Sequence, residues 1–580
     1  MYANVVVLTY QAPDTDSFSY EIPNELEKDI EIGQLVKVPF GTRMPMGVVV
    51  GLHKSLDIRN LKLKIKNLKS ILISQPLLLP YQIGLAKWMS AYYFAPMVNC
   101  LNTILPELPS KLLTVYPDSR RVHGSWQKEN KTINYELSTM NQHLILVPSI
   151  NKIPETLAKF PKAKNHVVYH NELKASEKFD AWQKILSGEA DYIFGSRSAI
   201  FTPCPNLKEI IIYDEHDSAY KDERSPYFDT LTVAQKISQL TVAQIKIVDP
   251  APKITTYFQL ESRIKIQTFP QKTQVVNLVS DKTSGNKSPI SFDLEEHIGQ
   301  TLEEKGAVLL FLNKKKESGH MFCKACKTSL YLEKQPNQCT NCNSPNIFWS
   351  VLNINSLATD VKNLFPQSKV NLITDNKQQT TNHELSTIDI GTAFALYSPL
   401  AKKYNLIAQI QTDSLLNVAD HASGEKLFAQ ITSLKKILTP NGTLILQSYS
   451  VENPILNLVA HGDYKSFYLE ELSQRKLLNN PPYSLLIKLT IKGKGDDKVK
   501  NEAESLAGSL PSTINHQPST ILGPYKPIFW QKLPVYHIIL KNRVANYSLS
   551  DREKVINSIA PLLQKGSKKY SIEVEPAGIQ

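Results

Sequence analysis

Four cysteines carry the strongest local signal in this chain. Cys323-x-x-Cys326 is followed, after twelve residues, by Cys339-x-x-Cys342. A CxxC turn lets two sulfurs face one ion. Two such turns bring four thiolates to a point, which suits tetrahedral zinc. With every position supplied by protein, the spacing predicts one closed, structural Zn2+. The ion would hold a small ribbon, residues 320–346, that has too few apolar residues to fold unaided. Four unrelated thiols, or a redox pair, are the alternative readings. Cys100 and Cys204 lie outside the spacing and read as core or surface thiols.

The ribbon needs a frame. The chain has 580 residues, 42% hydrophobic and 21% charged. That is a soluble, globular composition, and at roughly 150 residues per domain it allows about four domains. Six cysteines in this length argue against a disulfide framework. No run reaches the roughly 18 apolar residues of a membrane helix. The N-terminus lacks a basic stretch followed by an apolar core. The expectation is a cytoplasmic protein without membrane contact. A net charge of +12 suits a polyanion such as nucleic acid, or equally a solvated lysine-rich surface.

Short apolar strands are predicted at 5–8, 35–39 and 47–50. A helix over 79–94 places Leu85, Trp88, Met89 and Tyr92 on one face. Prolines 106, 109 and 117 open a linker. Strands at 144–147, 167–169, 192–194 and 210–212 then alternate with helical segments. The alternation returns with strands at 308–312, 370–373, 406–410 and 443–446. Two such blocks predict two α/β lobes with largely parallel sheets. The cysteine segment interrupts the second lobe just after its first strand. A last unit is helical and then α+β. In it Pro481-Pro482 turns into a strand over 484–489, and the chain ends on a strand near 572–574.

Two segments carry a resemblance. Phe194-Gly-Ser-Arg-Ser-Ala-Ile-Phe-Thr-Pro203 precedes Ile210-Ile-Ile-Tyr-Asp-Glu-His-Asp-Ser-Ala-Tyr-Lys221. Together they resemble the primosomal protein N′ family, the replication restart helicases of superfamily 2. That family carries a G-T-R-S-A stretch and then Asp-Glu-Glu-His. Phe18-Ser-Tyr20, Val36-Lys-Val-Pro-Phe-Gly41 and Trp88-Met-Ser-Ala-Tyr-Tyr93 are similar to its 3′-DNA-binding domain. Asp463 to Phe467, Pro481-Pro-Tyr483, Leu522-Gly-Pro524 and Val574-Glu-Pro576 are similar to its final domain. The resemblance covers nearly the whole chain in order. It implies an α/β protein of two RecA-like helicase lobes with a zinc-ribbon insertion. An N-terminal β-rich DNA-binding domain and a C-terminal α+β domain would flank them. The expected boundaries are 1–105 for the 3′-DNA-binding domain and 106–140 for a linker with a Walker A remnant. Lobe 1 would be 141–265, lobe 2 266–462, and a C-terminal DNA-binding domain 463–580.

The motor parts depart from that pattern. A phosphate loop should precede the strand at 144–147. His123 to Thr132 keeps Gly124, Lys131 and Thr132, but the spacing is one residue too long. Asn130 stands for the second glycine, and Trp126 is bulky for a loop that curls N–H groups around phosphate. In the acidic motif Tyr213 falls where a metal-binding Asp belongs. With a one-residue deletion Asp214 takes that place beside Glu215, though a solvated acidic turn reads equally well. No arginine occurs between Arg263 and Arg475. A motor of this class draws its arginine finger from that lobe, and Lys435 or Lys436 in Thr432–Ile437 cannot reproduce the guanidinium fork. Losing such an arginine costs on the order of 10³–10⁵ in rate. Val248-Asp-Pro-Ala-Pro252 replaces the Ser-Ala-Thr coupling motif. The expectation is no working catalytic residues and no productive ATP/Mg2+ site. Only four of the family's eight zinc-binding cysteines remain, so one zinc site is expected.

DNA binding can outlast the motor. By resemblance, Phe18 would stack on a terminal base, Gly41 would let backbone approach, and Lys66 would meet phosphate. Ser19 replaces the family's Asp. Lys526, Lys532 and Lys541, near Phe529, Trp530 and Tyr536, would form a second DNA-contacting surface. The implied function is replication restart: recognition of forked or single-stranded DNA and recruitment of primosome proteins and the replicative helicase or its loader, without unwinding. Single-stranded DNA-binding protein is a further implied partner. The alternatives are an active ATP-dependent 3′→5′ helicase with divergent motifs, and a zinc-ribbon scaffold that joins proteins.

Overall fold

The computed structural model describes residues 1–9, 16–55, 65–109, 141–260, 264, 266, 268–286, 288–312, 319–326, 328–332, 334–373, 387–397, 403–416, 420–510, 513–514, 517–527, 533–564 and 569–579. Five sheets organise them. The first joins β1 (Tyr2–Val7), β2 (Phe18–Glu21), β3 (Leu35–Lys37), β4 (Met46–His53), β5 (Lys66–Asn67) and β6 (Ser70–Ile71), in the order β5-β2-β1-β4-β3-β6. One face buries Ala3, Val5, Val7, Tyr20, Val36 and Val49. The other presents Val6, Leu35, Val48 and Val50 to the main core. The alternation follows from the period-2 pleat.

The helix Pro80–Tyr92 carries this sheet onto the next unit. Its Gln82 amide donates to the Phe201 carbonyl at 2.7 Å, and Trp182 Nε1 donates to the Leu77 carbonyl at 3.0 Å. Leu85, Met89 and Tyr92 are buried, as the periodicity predicts, while Trp88 is half-buried.

The next sheet is all parallel: β7 (Gln142–Leu146), β8 (His166–Tyr169), β9 (Tyr192–Gly195), β10 (Leu207–Tyr213) and β11 (Gln244–Val248), in the order β11-β10-β7-β9-β8. The central strands are continuous apolar runs, as strands covered on both faces require. At the end of β9 the chain passes close to its neighbours. A Cβ on Gly195 would lie 2.2 Å from the Tyr169 carbonyl oxygen and 2.4 Å from Ala199 Cβ. Only glycine fits there.

A second parallel sheet begins with β12 (Lys272–Asn277) and β13 (Val308–Phe311). The chain then leaves it for a three-stranded antiparallel ribbon of β14 (Gly319–Cys323), β15 (Ser329–Leu332) and β16 (Ile347–Val351). It returns through β17 (Lys369–Ile373), β18 (Thr387–Gly391), β19 (Tyr404–Gln409) and β20 (Leu438–Ser448). The order is β12-β20-β19-β13-β18-β17. The ribbon therefore follows the second strand of this sheet. The sequence pattern misses β12 because its Lys272, Thr273 and Gln274 lack the apolar run of a central strand. The two parallel sheets are RecA-like lobes, so the fold is α/β with a ribbon inserted in lobe 2.

The last sheet is antiparallel: β21 (Ser484–Lys492), β22 (Thr513–Ile514), β23 (Gln517–Tyr525), β24 (Val535–Arg543) and β25 (Tyr570–Val574), ordered β22-β23-β24-β21-β25. One hydrophobic core runs from the N-terminal sheet through both lobes to this unit.

Substituting Gly195→Ala should destabilise the protein by about 3 kcal/mol, because the obstructing atom is backbone and cannot step aside. Urea denaturation should show a lower midpoint. An unchanged midpoint would contradict the close approach.

Candidate functional site

The residues of the acidic motif follow β10, at the carboxyl edge of lobe 1 where parallel sheets bind ligands. Asp214 turns the chain with φ +49°, and its N–H donates to the Val248 carbonyl at 3.0 Å. Positive φ in a non-glycine residue is a costly conformation. Here it aims the carboxylate out of the strand while Glu215 turns inward.

Glu215 is 1% exposed. Burial raises its pKa, and Lys253 opposes the rise from 3.0 Å. Lys253 also reaches Asp229 at 3.2 Å. His216 Nδ1 lies 2.8 Å from Asp249 Oδ2, and its N–H donates to the same oxygen at 2.9 Å. Burial would push His216 down, but the Asp249 carboxylate outweighs it and holds the imidazole up at about 9. Asp249 belongs to the Val248–Pro252 segment that replaces the coupling motif. Its carboxylate orders the acidic turn.

Lobe 2 and the last domain supply the facing groups. Lys436 Nζ pairs with Asp214 Oδ1, and the Tyr397 hydroxyl donates to Asp217 Oδ2. Lys435 points the other way, buried against the Ala460 carbonyl at 3.0 Å. Arg475, 3% exposed, is tied to Glu425 at 3.2 Å and Glu471 at 3.0 Å. Glu425 in turn accepts the Ile254 N–H of lobe 1 at 2.8 Å. A cavity of about 360 Å³ remains among the lobes and the last domain, lined by Glu215, Lys253, Tyr397, Glu425, Tyr547 and Arg552 among others. Each charge in that set has a protein partner. Lys131 and Thr132 lie outside the described residues.

In the ribbon the four thiols converge. Cys323 Sγ is 3.6 Å from Cys342 Sγ, and Cys326 Sγ is 3.6 Å from Cys339 Sγ. All four sulfurs lie within 4.8 Å of one another. Zinc–sulfur bonds of about 2.3 Å at tetrahedral angles put sulfurs roughly 3.8 Å apart, so the donor set fits one zinc. Thr328, in side-chain and backbone contact with Cys326, pulls that thiol down to about 5, while hydrogen bonds with the neighbouring thiols push Cys342 up to about 12. Cys100 and Cys204 are buried elsewhere.

At the N-terminal sheet, Phe18 is half-buried and meets the Phe40 ring edge-on, centroids 5.1 Å apart. Gly41 follows in a turn closed by the Phe40–Arg43 bridge, with φ +59° and open space around it. Lys66 is exposed on edge strand β5, paired with Tyr20 two residues beyond Phe18. The three therefore share one rim of the sheet. Ser19 points to the opposite face and donates to Asn4 Oδ1 at 3.0 Å.

The last domain corrects one expectation. Lys541 is 8% exposed and holds Asn480 Oδ1 at 2.7 Å and the Leu478 carbonyl at 3.1 Å, so it cannot belong to a surface. Lys526 is exposed but paired with Asp496 at 2.8 Å. Lys532, Phe529 and Trp530 lie outside the described residues. The pattern also misses the seam that joins this domain to the rest. There Trp88 Nε1 donates to Glu553 at 2.7 Å, and Arg552 donates to Thr232 Oγ1 at 3.0 Å and to Gln235 Oε1.

Residues 5–106 match the 3′DNA-binding domain of PriA. Replication restart protein PriA of Synechocystis sp. is 26% identical over 463 residues, which cover 69% of this chain and 56% of that protein. PriA of Rickettsia conorii is 25% identical over 592 residues, covering 87% of this chain and 89% of that protein. The chain is similar to PriA proteins over most of its length. It spans 60% of the Bacillus subtilis PriA, to which it is 26% identical. Among solved structures, RecG bound to a three-way DNA junction aligns at 10% identity and TM-score 0.32, over 58% of this chain and 40% of that one. No described helix is long and apolar enough to cross a membrane.

Purified protein should carry one zinc per chain by elemental analysis. Cys339→Ser should lose it and make the ribbon protease-sensitive while the lobes stay folded. Full zinc content in that variant would contradict a four-cysteine site.

Proposed function

We propose that this chain is a PriA-like, cytoplasmic replication restart protein that binds forked or single-stranded DNA and does not unwind it. The observation that carries the reading is the match of residues 5–106 to a 3′DNA-binding domain, with Phe18, Gly41 and Lys66 on one rim. In this reading Phe18 presents an aromatic face to a terminal base, a contact worth roughly 1–3 kcal/mol. Gly41, with open space beside it, admits the sugar-phosphate backbone. Lys66 pairs with a phosphate. Ser19, engaged with Asn4, is not free to read the terminal hydroxyl. The C-terminal domain adds a second DNA surface through groups other than Lys541.

The motor reading is disfavoured by the cleft. The carboxylates that would hold Mg2+ are engaged by Lys436 and Lys253, and lobe 2, residues 266–462, contains no arginine. The protein would mark an arrested fork and recruit primosome proteins and the replicative helicase or its loader, with single-stranded DNA-binding protein as a further contact. The zinc ribbon is a structural element of lobe 2 in this account.

Fluorescence anisotropy tests the reading. The protein should bind a fork with a free 3′ end at least tenfold more tightly than blunt duplex. Phe18→Ala should weaken fork binding about tenfold or more. Lys66→Ala should lower the slope of log K against log salt by about one phosphate contact. Equal affinity for fork and duplex would overturn the proposal.

A further inference from the structure

The two lobes are joined by a lysine that sits where a free cation would. Asp214, His216 and Asp249 each offer one ligand atom, and these atoms lie within 4.8 Å of one another. His216 already answers Asp249, which leaves Asp214 as the carboxylate open to a further cation. Lys436 Nζ fills that role on Asp214, from a residue 222 positions away on the other lobe.

Three features fix the ammonium there. Lys436 is the last residue of the helix Ser423–Lys436, where the helix dipole favours a cation. The Lys403 ammonium donates to the Lys436 carbonyl and holds the end of that helix. The neighbouring Lys435 is turned into lobe 2, so the two lysines do not exchange roles. A second tie runs alongside: the Tyr397 hydroxyl, after β18, donates to Asp217 three residues past Asp214. Both contacts cross the cleft between lobes, and neither needs a nucleotide.

We propose that Lys436 is a tethered cation that occupies the seat of a divalent ion at Asp214 and, with Tyr397, latches the two lobes shut. The proposal rests on the reading that the lobes do not turn over ATP, and adds what holds them instead. A tethered charge acts at a high effective concentration. A free divalent ion must therefore displace the lysine to bind, and displacing it opens the latch.

The test uses full-length, zinc-loaded protein and Mn2+, read by electron paramagnetic resonance. Lys436→Met keeps a long unbranched side chain and removes its charge. This variant should bind one Mn2+ at least tenfold more tightly than the unmodified protein, and adding Asp214→Asn should abolish the gain. The distance between labels at exposed Lys164 of lobe 1 and Glu303 of lobe 2 should broaden in Lys436→Met, and also in Tyr397→Phe, which leaves the charges in place. Equal Mn2+ affinity with and without Lys436, a gain that survives Asp214→Asn, or an unchanged distance in both variants would each overturn the latch. DNA-stimulated ATP turnover by the unmodified protein would instead overturn the functional reading, and the Mn2+ comparison would still stand or fall by itself.

Discussion

A carboxylate buried at the end of a parallel strand has to be neutralised by something close, and Glu215 is 1% exposed. Stranding one charge of such a pair costs about 3–5 kcal/mol. Lys253 answers it within lobe 1 and is shared with Asp229. The same demand repeats outward. Asp249 answers His216, Lys436 answers Asp214 from the facing lobe, and Arg475 answers Glu425 and Glu471. Beyond the cleft, Arg552 answers Glu575 within the last domain and donates to Thr232 and Gln235 of lobe 1, which fastens that domain. The relative placement of the lobes and the last domain follows from this chain of compensation as much as from the apolar core they share. The Asp214–Lys436 contact is the most solvent-open link, with the two side chains 26% and 28% exposed. It is also the link that one substitution would free.

A nucleotide-driven motor uses the same place differently. Its acidic motif must leave room for a metal ion, and its second lobe must bring a guanidinium to the phosphates. Here the acidic turn is filled by residues of the protein itself. The N-terminal rim of Phe18, Gly41 and Lys66 sits on a separate sheet and draws on none of these charges. In the proposed reading, recognition of DNA and turnover of nucleotide are therefore physically separable.

Much of the frame is legible in the sequence. Strands such as β7, β10 and β13 read as apolar runs because both of their faces are covered. The four cysteines announce their convergence by spacing alone. β18 is missed because Thr387 and Asp389 interrupt its apolar run. They are buried all the same, since Asn371 and the Tyr404 hydroxyl satisfy the Asp389 carboxylate. The cleft is harder to read. Lys435 and Lys436 are adjacent and chemically identical, and about 100° of helix separates a buried carbonyl contact from an inter-lobe ion pair. Asp249, Tyr397 and Arg552 carry no local motif, because their partners lie 33, 180 and 23 residues away and only the fold brings them together. The same limit applies to Lys541. As sequence it is a lysine near aromatics, and as structure it is a buried donor.

The claim at the centre of this account is that the lobes are a scaffold whose charges are satisfied from within. It is tested most directly by steady-state ATP hydrolysis of the purified protein, with and without a fork carrying a free 3′ end, with fork binding followed in the same samples. The account predicts tight fork binding with no turnover above background in either condition. DNA-stimulated hydrolysis would contradict it, because the acidic motif would then have to release Lys436 and take up a metal ion in every cycle.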